Sequence, residues 1–275
     1  MELTFALPGK AAERAASVYY QLVEDFSLIE DLQRADVGQL RFFLSGSGYH
    51  EFPDGERAHA TPVFLTGPSN RANRFSVQGP LRFVGISLQA AAWGGLIPAD
   101  ADALADRSAD AVDMLGPEVL DLRRSLGACT TIDEMAPLLD AFVAAKMRPV
   151  PDDHARAIEA IRAWIADHPY PRVDDLYAAA PFSQRQMMRI ANRYYGAPPK
   201  LLARKYIALR TASHIFMNDG TIRDRDDDYY SDRSHLIREV RHFTGLTPRQ
   251  LKTMSSRLMR VTLASEHFRE LEPLG

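Results

Sequence analysis

The sequence predicts an α+β chain: a small β-sandwich or barrel with a helical appendage, followed by an all-α domain of paired helices. Three observations predict it. Five short runs rich in Phe, Val and Leu fall between Gln39 and Leu88, separated by Gly- and Pro-containing turns. From Trp93 onward, apolar residues recur three and four apart instead. Finally, a segment from Ser183 to Arg210 holds seven basic residues and no acid, and its apolar pattern returns 49 residues later.

The N-terminal stretch is mixed: "AAERAAS" has a helical pattern, while "VYYQLVEDFSLIE" fits strand or helix. "QLRFFLS", "YHEF", "PVFLTG", "RFSV" and "LRFVGISL" read as strands, with "GSG", "PDG", "GPSN" and "QGP" between them supplying turn residues. "PEVLDLRRSLGA" and "TIDEMAPLLDAFVAAKM" read as helices, Pro117 suiting a first helical position and Thr131 a cap. "MRPVPDDH" (147–154) reads as a linker and divides the chain into residues 1–150 and 151–275. Beyond it, "HARAIEAIRAWIADH" and "RVDDLYAAA" continue in helical period.

Charge divides along the same line. The chain carries 33 Lys+Arg against 36 Asp+Glu. Residues 152–275 hold 20 and 16 of these, which leaves 13 and 20 for residues 1–151. An acidic half joined to a basic half predicts separate partners. The single cysteine, Cys129, excludes an intrachain disulfide. No export signal or membrane-length apolar run is present, so a cytoplasmic protein with no membrane partner is expected.

The basic segment is the most informative. Ser183 followed by Gln186 forms a capping-box signature, so a helix begins there. Met187, Ile190, Ala191 and Tyr194 form its buried stripe, while Arg185, Met188, Arg189 and Asn192 share another face at the same spacing. Gly196 stops the helix and "APPK" opens a longer one, "PKLLARKYIALRTASHIF". Shifting by 49 residues pairs Met187 with Leu236, Arg189 with Arg238, Ala191 with Val240, Tyr194 with Phe243, Gly196 with Gly245 and Pro199 with Pro248. Ser183 meets Asp232, a second good cap. Two helix-turn-helix units joined by a long helix follow, with second helices over about 183–195 and 232–244. Such helices present arginine and asparagine, the groups that hydrogen-bond base edges and phosphates.

"SQRQMMRIANRYYGAPPKLLARKYIALRTA" and "YSDRSHLIREVRHFTGLTPRQL" resemble the paired helix-turn-helix domain of the arabinose-regulator (AraC) family of bacterial transcription factors, over about residues 155–255. The β-rich half is similar in layout to the cupin-like domains of many members. The resemblance implies a regulator of transcription that binds double-stranded DNA. It also implies an N-terminal domain that senses a small-molecule effector or forms a homodimer, and contact with RNA polymerase if the protein is an activator. Base-contacting positions carry over to Arg185, Met188, Arg189 and Asn192, and to Arg233, Ser234, His235 and Arg238. Arg193, Lys200, Arg204 and Lys205 are expected at phosphates. The chain departs from the family at "TIRDRDDDYY", where Asp224, Arg225 and Asp228 replace apolar or small residues and Tyr229 replaces glycine. Ala191 stands in place of a large aromatic.

Other readings remain. A protein-interaction module with a decayed DNA-binding half would account for the "DRDDD" run. A cupin-fold enzyme needs paired histidines, but His50 and His59 stand alone, so no metal, cofactor or enzyme activity is expected. No Gly-rich phosphate loop or nucleophile elbow appears. Nothing identifies an effector: Arg41, Arg82 and Trp93 are only large groups near predicted strands.

Overall fold

A computed structural model describes residues 2–26, 28–218, 221, 229–253 and 256–263, with 257 and 258 described by their backbone alone. The N-terminal half builds one antiparallel sheet from β1 (Glu2–Ala6), β2 (Ala16–Glu24), β3 (Leu28–Gln33), β4 (Gln39–Glu51), β5 (Arg57–His59), β6 (Val63–Thr66), β7 (Asn73–Leu88) and β8 (Ser108–Asp110). "VYYQLVE" is therefore strand. "AAERAAS" is not a helix but a turn, closed by the Ala12 and Glu13 amides on the Gly9 carbonyl, that feeds into β2.

Four of the five predicted runs merge in pairs. β4 passes through "GSG" and β7 through "QGP", so those residues bend long strands rather than reverse them. The β4–β7 register shifts between Phe43 and Ser45 and again before Ser47. Gly46 sits there at φ +85°, a conformation open to glycine at little cost. On one side of the bend β7 pairs with β3, and on the other with β2. The sheet thus folds into two limbs that face each other.

Both faces of the central strands are buried, which is why they read as nearly unbroken apolar runs. Leu40 and Phe42 of β4, with Val84, Ile86 and Leu88 of β7, face the core beneath the helices. Their neighbours Phe43, Leu81 and Phe83 face between the limbs, where they meet Leu22, Phe64 and Val77.

The helical appendage comprises α1 (Ala92–Gly95), α2 (Ala111–Leu115), α3 (Glu118–Ala128) and α4 (Ile132–Lys146). Thr131 and Glu134 make both bonds of a capping box at the start of α4. The Asp140 carboxylate ties this helix to the sheet, accepting from the Gly9 amide at 2.9 Å and the Tyr19 hydroxyl at 2.8 Å.

The C-terminal half holds α5 (Asp152–Asp167), α6 (Val173–Ala179), α7 (Gln184–Tyr195), α8 (Pro199–Met217), α9 (Arg233–Thr244), α10 (Pro248–Lys252) and α11 (Arg257–Leu263). Asp224, Arg225 and Asp228 lie outside the described residues. Tyr229, described, stacks on Tyr170 with ring centroids 5.6 Å apart. Trp93 and Ala101 share one continuous core with Tyr194, Leu202 and Tyr206, so the two halves are packed together. No described helix is long and apolar enough to cross a membrane.

Candidate nucleic-acid interface

The sequence of α7 folds as its spacing requires. Ser183 and Gln186 exchange both capping-box bonds, and Gly196 ends the helix at φ +71°. Met187, Ile190, Ala191 and Tyr194 are buried. The opposite face presents Arg185, Met188 and Arg189 to solvent, with Asn192 half-buried beside them.

α9 repeats this design. Asp232 caps it by accepting from the His235 amide at 2.7 Å, and Gly245 ends it at φ +78°. Leu236, Val240 and Phe243 are buried where Met187, Ala191 and Tyr194 are in α7. Arg233, Ser234 and Arg238 are exposed. His235 is less available: it is half-buried, its ring packed edge-on against Tyr230 at 5.3 Å. Two exposed residues on this face escaped the sequence reading, Ile237 and Arg241. The 49-residue shift finds both, since it lays them over Met188 and Asn192.

The charge at helix starts separates α7 and α8 from the four helices before them. An N-terminus carries a partial positive charge and normally draws acids into its first turn. α3, α4, α5 and α6 each have two acids there. α7, α8, α9 and α10 have none in that turn, as is true of α1 and α11, although α9 is capped by the Asp232 carboxylate. The starts of α7 and α8, without acids, are suited to receive an external anion such as a phosphate. The exposed faces of α7 and α9 carry no acid either, because the one carboxylate on these helices, Glu239, is buried.

Three of the four expected phosphate contacts are engaged within the protein. Lys205 is a clear correction: it is 2% exposed, and its ammonium donates to the carbonyls of Asp36 at 2.8 Å and Ser69 at 3.0 Å. Arg204 is turned onto α9, donating twice to Glu239 at 2.8 Å. Burial pushes the Glu239 carboxyl up, but the Arg204 hydrogen bonds and charge outweigh it and hold the group below its ordinary value. Arg193 faces Asp100 at 3.3 Å and lies over the Tyr194 ring. Lys200 alone is fully exposed, in the first turn of α8. The basic run therefore serves two ends. Arg185, Arg189 and Lys200 face out, while Arg193 and Lys205 fasten the helical half to the sheet half.

That fastening reaches both candidate helices. Asn70 donates to the Gly196 carbonyl at 3.0 Å, just past α7. The Ala72 amide donates to His242 at 3.0 Å and the Ala35 amide to Phe243 at 2.7 Å, both in the last turn of α9. Asp36 and Ser69 tie these two loops to each other, the Ser69 amide donating to the Asp36 carbonyl at 3.0 Å.

The first of these loops, through Arg34, Asp36 and Val37, borders a cavity of about 380 Å³ between the limbs of the sheet. Its walls include Leu22, Phe43, Phe75 and Phe83, and its mouth carries the exposed rings of Phe5 and Phe26. Two arginines line this space with Glu24, Glu30, Asp31 and Asp36, and Arg34 is paired with Asp36 at 3.4 Å. Arg41 is buried and touches only neutral groups: Tyr20 Oη at 2.9 Å, His50 Nε2 at 3.4 Å and Gln33 Oε1 at 3.4 Å. Among the described residues it has no carboxylate partner. His50 is held neutral, burial and then the Arg41 charge lowering its pKa to about 3. Gly85 leaves room for Tyr20, whose ring occupies the space a β-carbon would take. Arg34 and Asp36 also line the cavity, as do Val261 and Thr262 of α11, and the Arg34 guanidinium donates to the Thr262 carbonyl at 2.8 Å. The sequence reading had no use for Arg41. Its signal is the alternation in β4, which puts Gln39, Arg41 and Phe43 on one buried face.

Compared with solved structures, the chain is similar to the unsaturated-fatty-acid-bound ToxT of Vibrio cholerae strain SCE256, at 13% identity over 92% of this chain and 97% of that one, with a TM-score of 0.45. ToxT from Vibrio cholerae O395 aligns at 11% identity over 92% and 98%, with a TM-score of 0.44. The AraC-like transcriptional activator CuxR aligns at 12% identity over 76% and 80%, with a TM-score of 0.32. These values lie below those that carry a function from one protein to another. No family model matches the chain, and no curated protein matches it.

Proposed function

We propose that this chain is a sequence-specific DNA-binding regulator of transcription, with α7 and α9 lying in successive major grooves about 34 Å apart. The observation that carries the reading is the repeated exposed face of α7 and α9, basic and with its one carboxylate, Glu239, buried, and the first turns of both helices free of acids. Arg185, Arg189 and Arg238 are placed to reach guanine O6 and N7, and Asn192 to reach adenine. Arg233, Ser234 and His235 belong to the leading turn of the second reader. Lys200 and the starts of α7 and α8 take phosphates, and the counterions they release supply affinity without specificity.

The sheet half is the regulatory unit, and its cavity is the effector site. Apolar walls around one buried guanidinium that lacks a carboxylate suit an apolar molecule with a single anionic group. An effector there touches Arg34 and Asp36, whose loop holds the end of α9, so occupancy and the posture of the second reader are linked.

The test is selection of bound duplexes from a random-sequence library by the full chain, followed by a salt titration on the winner. Two enriched blocks about one helical turn apart are expected. Weak, salt-sensitive binding to every duplex without enrichment would overturn the reading and favour the protein-interaction module. For the cavity, decanoate should raise the melting temperature of the chain and decanol should not. Arg41→Met should abolish the difference.

A further inference from the structure

The reading faces of α7 and α9 each carry a large apolar side chain in the open. Met188 is 43% exposed and Ile237 is 38% exposed. The 49-residue shift that aligns the two units lays one over the other. Each is followed directly by an arginine, Arg189 or Arg238. Each has a polar residue three before, Arg185 or Ser234, and another four after, Asn192 or Arg241. A lone exposed apolar residue needs no explanation. Two at one position of a repeated motif, each ringed by groups that suit base edges, do.

Resting on the DNA-binding reading above, we infer that Met188 and Ile237 are specificity-determining residues that pack on the 5-methyl group of a thymine in each operator block. The chemistry is selective. The major groove is lined with polar edges, and the thymine methyl is its one apolar feature. An aliphatic side chain placed among arginines gains nothing from phosphate or from guanine, but removes a methyl group from water where thymine stands. The neighbouring arginines then read a guanine on the adjoining step. The surroundings favour a nucleic-acid occupant over a protein one, since the only carboxylate within either helix, Glu239, is buried, and Asp232 at the start of α9 is taken up in capping it. The pairing also extends the second reading face to Ile237 and Arg241, so that it comprises Ser234, Ile237, Arg238 and Arg241.

The experiment uses the full chain and the duplex it selects. Thymines are replaced one at a time by deoxyuridine, which removes the methyl group and nothing else. One position in each block is expected to lose affinity by about fourfold, the worth of one buried methyl group. M188A should make the first block indifferent to its uridine while the second stays sensitive, and I237A should do the reverse. Both side chains are on the surface, so each variant should keep the wild-type melting temperature. A selected duplex whose affinity stays within about twofold at every uridine, or whose sensitivity is unchanged in the variants, would overturn this inference and leave the DNA-binding reading standing. Absence of any selected duplex would overturn both.

Discussion

α7 and α9 are two versions of one element, and they differ in what holds them. α7 has a full capping box and a wholly apolar buried face of Met187, Ile190, Ala191 and Tyr194, and it is tied to the sheet half by the Arg193–Asp100 pair, by Tyr194 in the core with Trp93, and by Asn70 beyond its end. α9 relies on its surroundings. Asp232 caps it from one side only, and Glu239 occupies the place of Ile190, neutralised by Arg204 of α8. Its last turn gives two carbonyls to loops of the sheet half. A burial site for a charge is stable only while its partner stays. The first reader therefore buries no charge of its own, while the second is conditional on Arg204 of α8 and on a loop beside the cavity.

The largest expected effect tests the inequality directly. Replacing Arg185 and Arg189 together by alanine should cost the selected duplex at least about thirtyfold in affinity, since each bidentate contact is worth about 1–3 kcal/mol. Replacing Ser234 and Arg238 should cost about tenfold and relax only one block. Fluorescence anisotropy with single-block variants of the duplex measures both, and equal losses would erase the contrast.

Next in size is Arg204→Ala, which strands a buried carboxylate whose partner was itself partly exposed. A loss of about 1–3 kcal/mol is expected, with faster amide exchange in α9 and little change in α7. The same pair predicts a pH response. The carboxyl of Glu239 is held below its ordinary value in the folded state, so its contribution to stability is present above the unfolded carboxylate range and is lost as pH falls through the folded value. Acid should loosen α9 before α7, and Glu239→Gln should flatten that difference in exchange measured from neutral pH downward.

The smallest effect separates surface from seam within the basic run. Lys200→Ala should reduce the slope of log affinity against log salt by about one unit. Lys205→Ala should leave the slope alone and instead lower the melting temperature, because two carbonyls lose their donor.

Much of this was legible in the sequence where local rules act alone. The capping boxes at Thr131 and Ser183, the stripe at Met187, Ile190, Ala191 and Tyr194, and the left-handed glycines at 196 and 245 follow from short-range geometry. Other features depend on contacts distant in the chain. "GSG" and "QGP" have turn chemistry, and only cross-strand pairing shows that β4 and β7 continue through them. Lys205 reads as a phosphate contact because its partners, Asp36 and Ser69, lie far away in the sequence. Arg41 reads as an ordinary strand residue until the second limb closes over it. Ile237 and Arg241 are legible through the 49-residue repeat, which lays them over Met188 and Asn192.

The most direct measurement is guanine-N7 methylation interference on the selected duplex with the full chain. Two clusters of interfering guanines about one helical turn apart on one face, the first stronger than the second, are what two unequal readers in successive major grooves produce. A single cluster would contradict the role of α9, and no interference at any guanine would contradict major-groove reading by these arginines altogether.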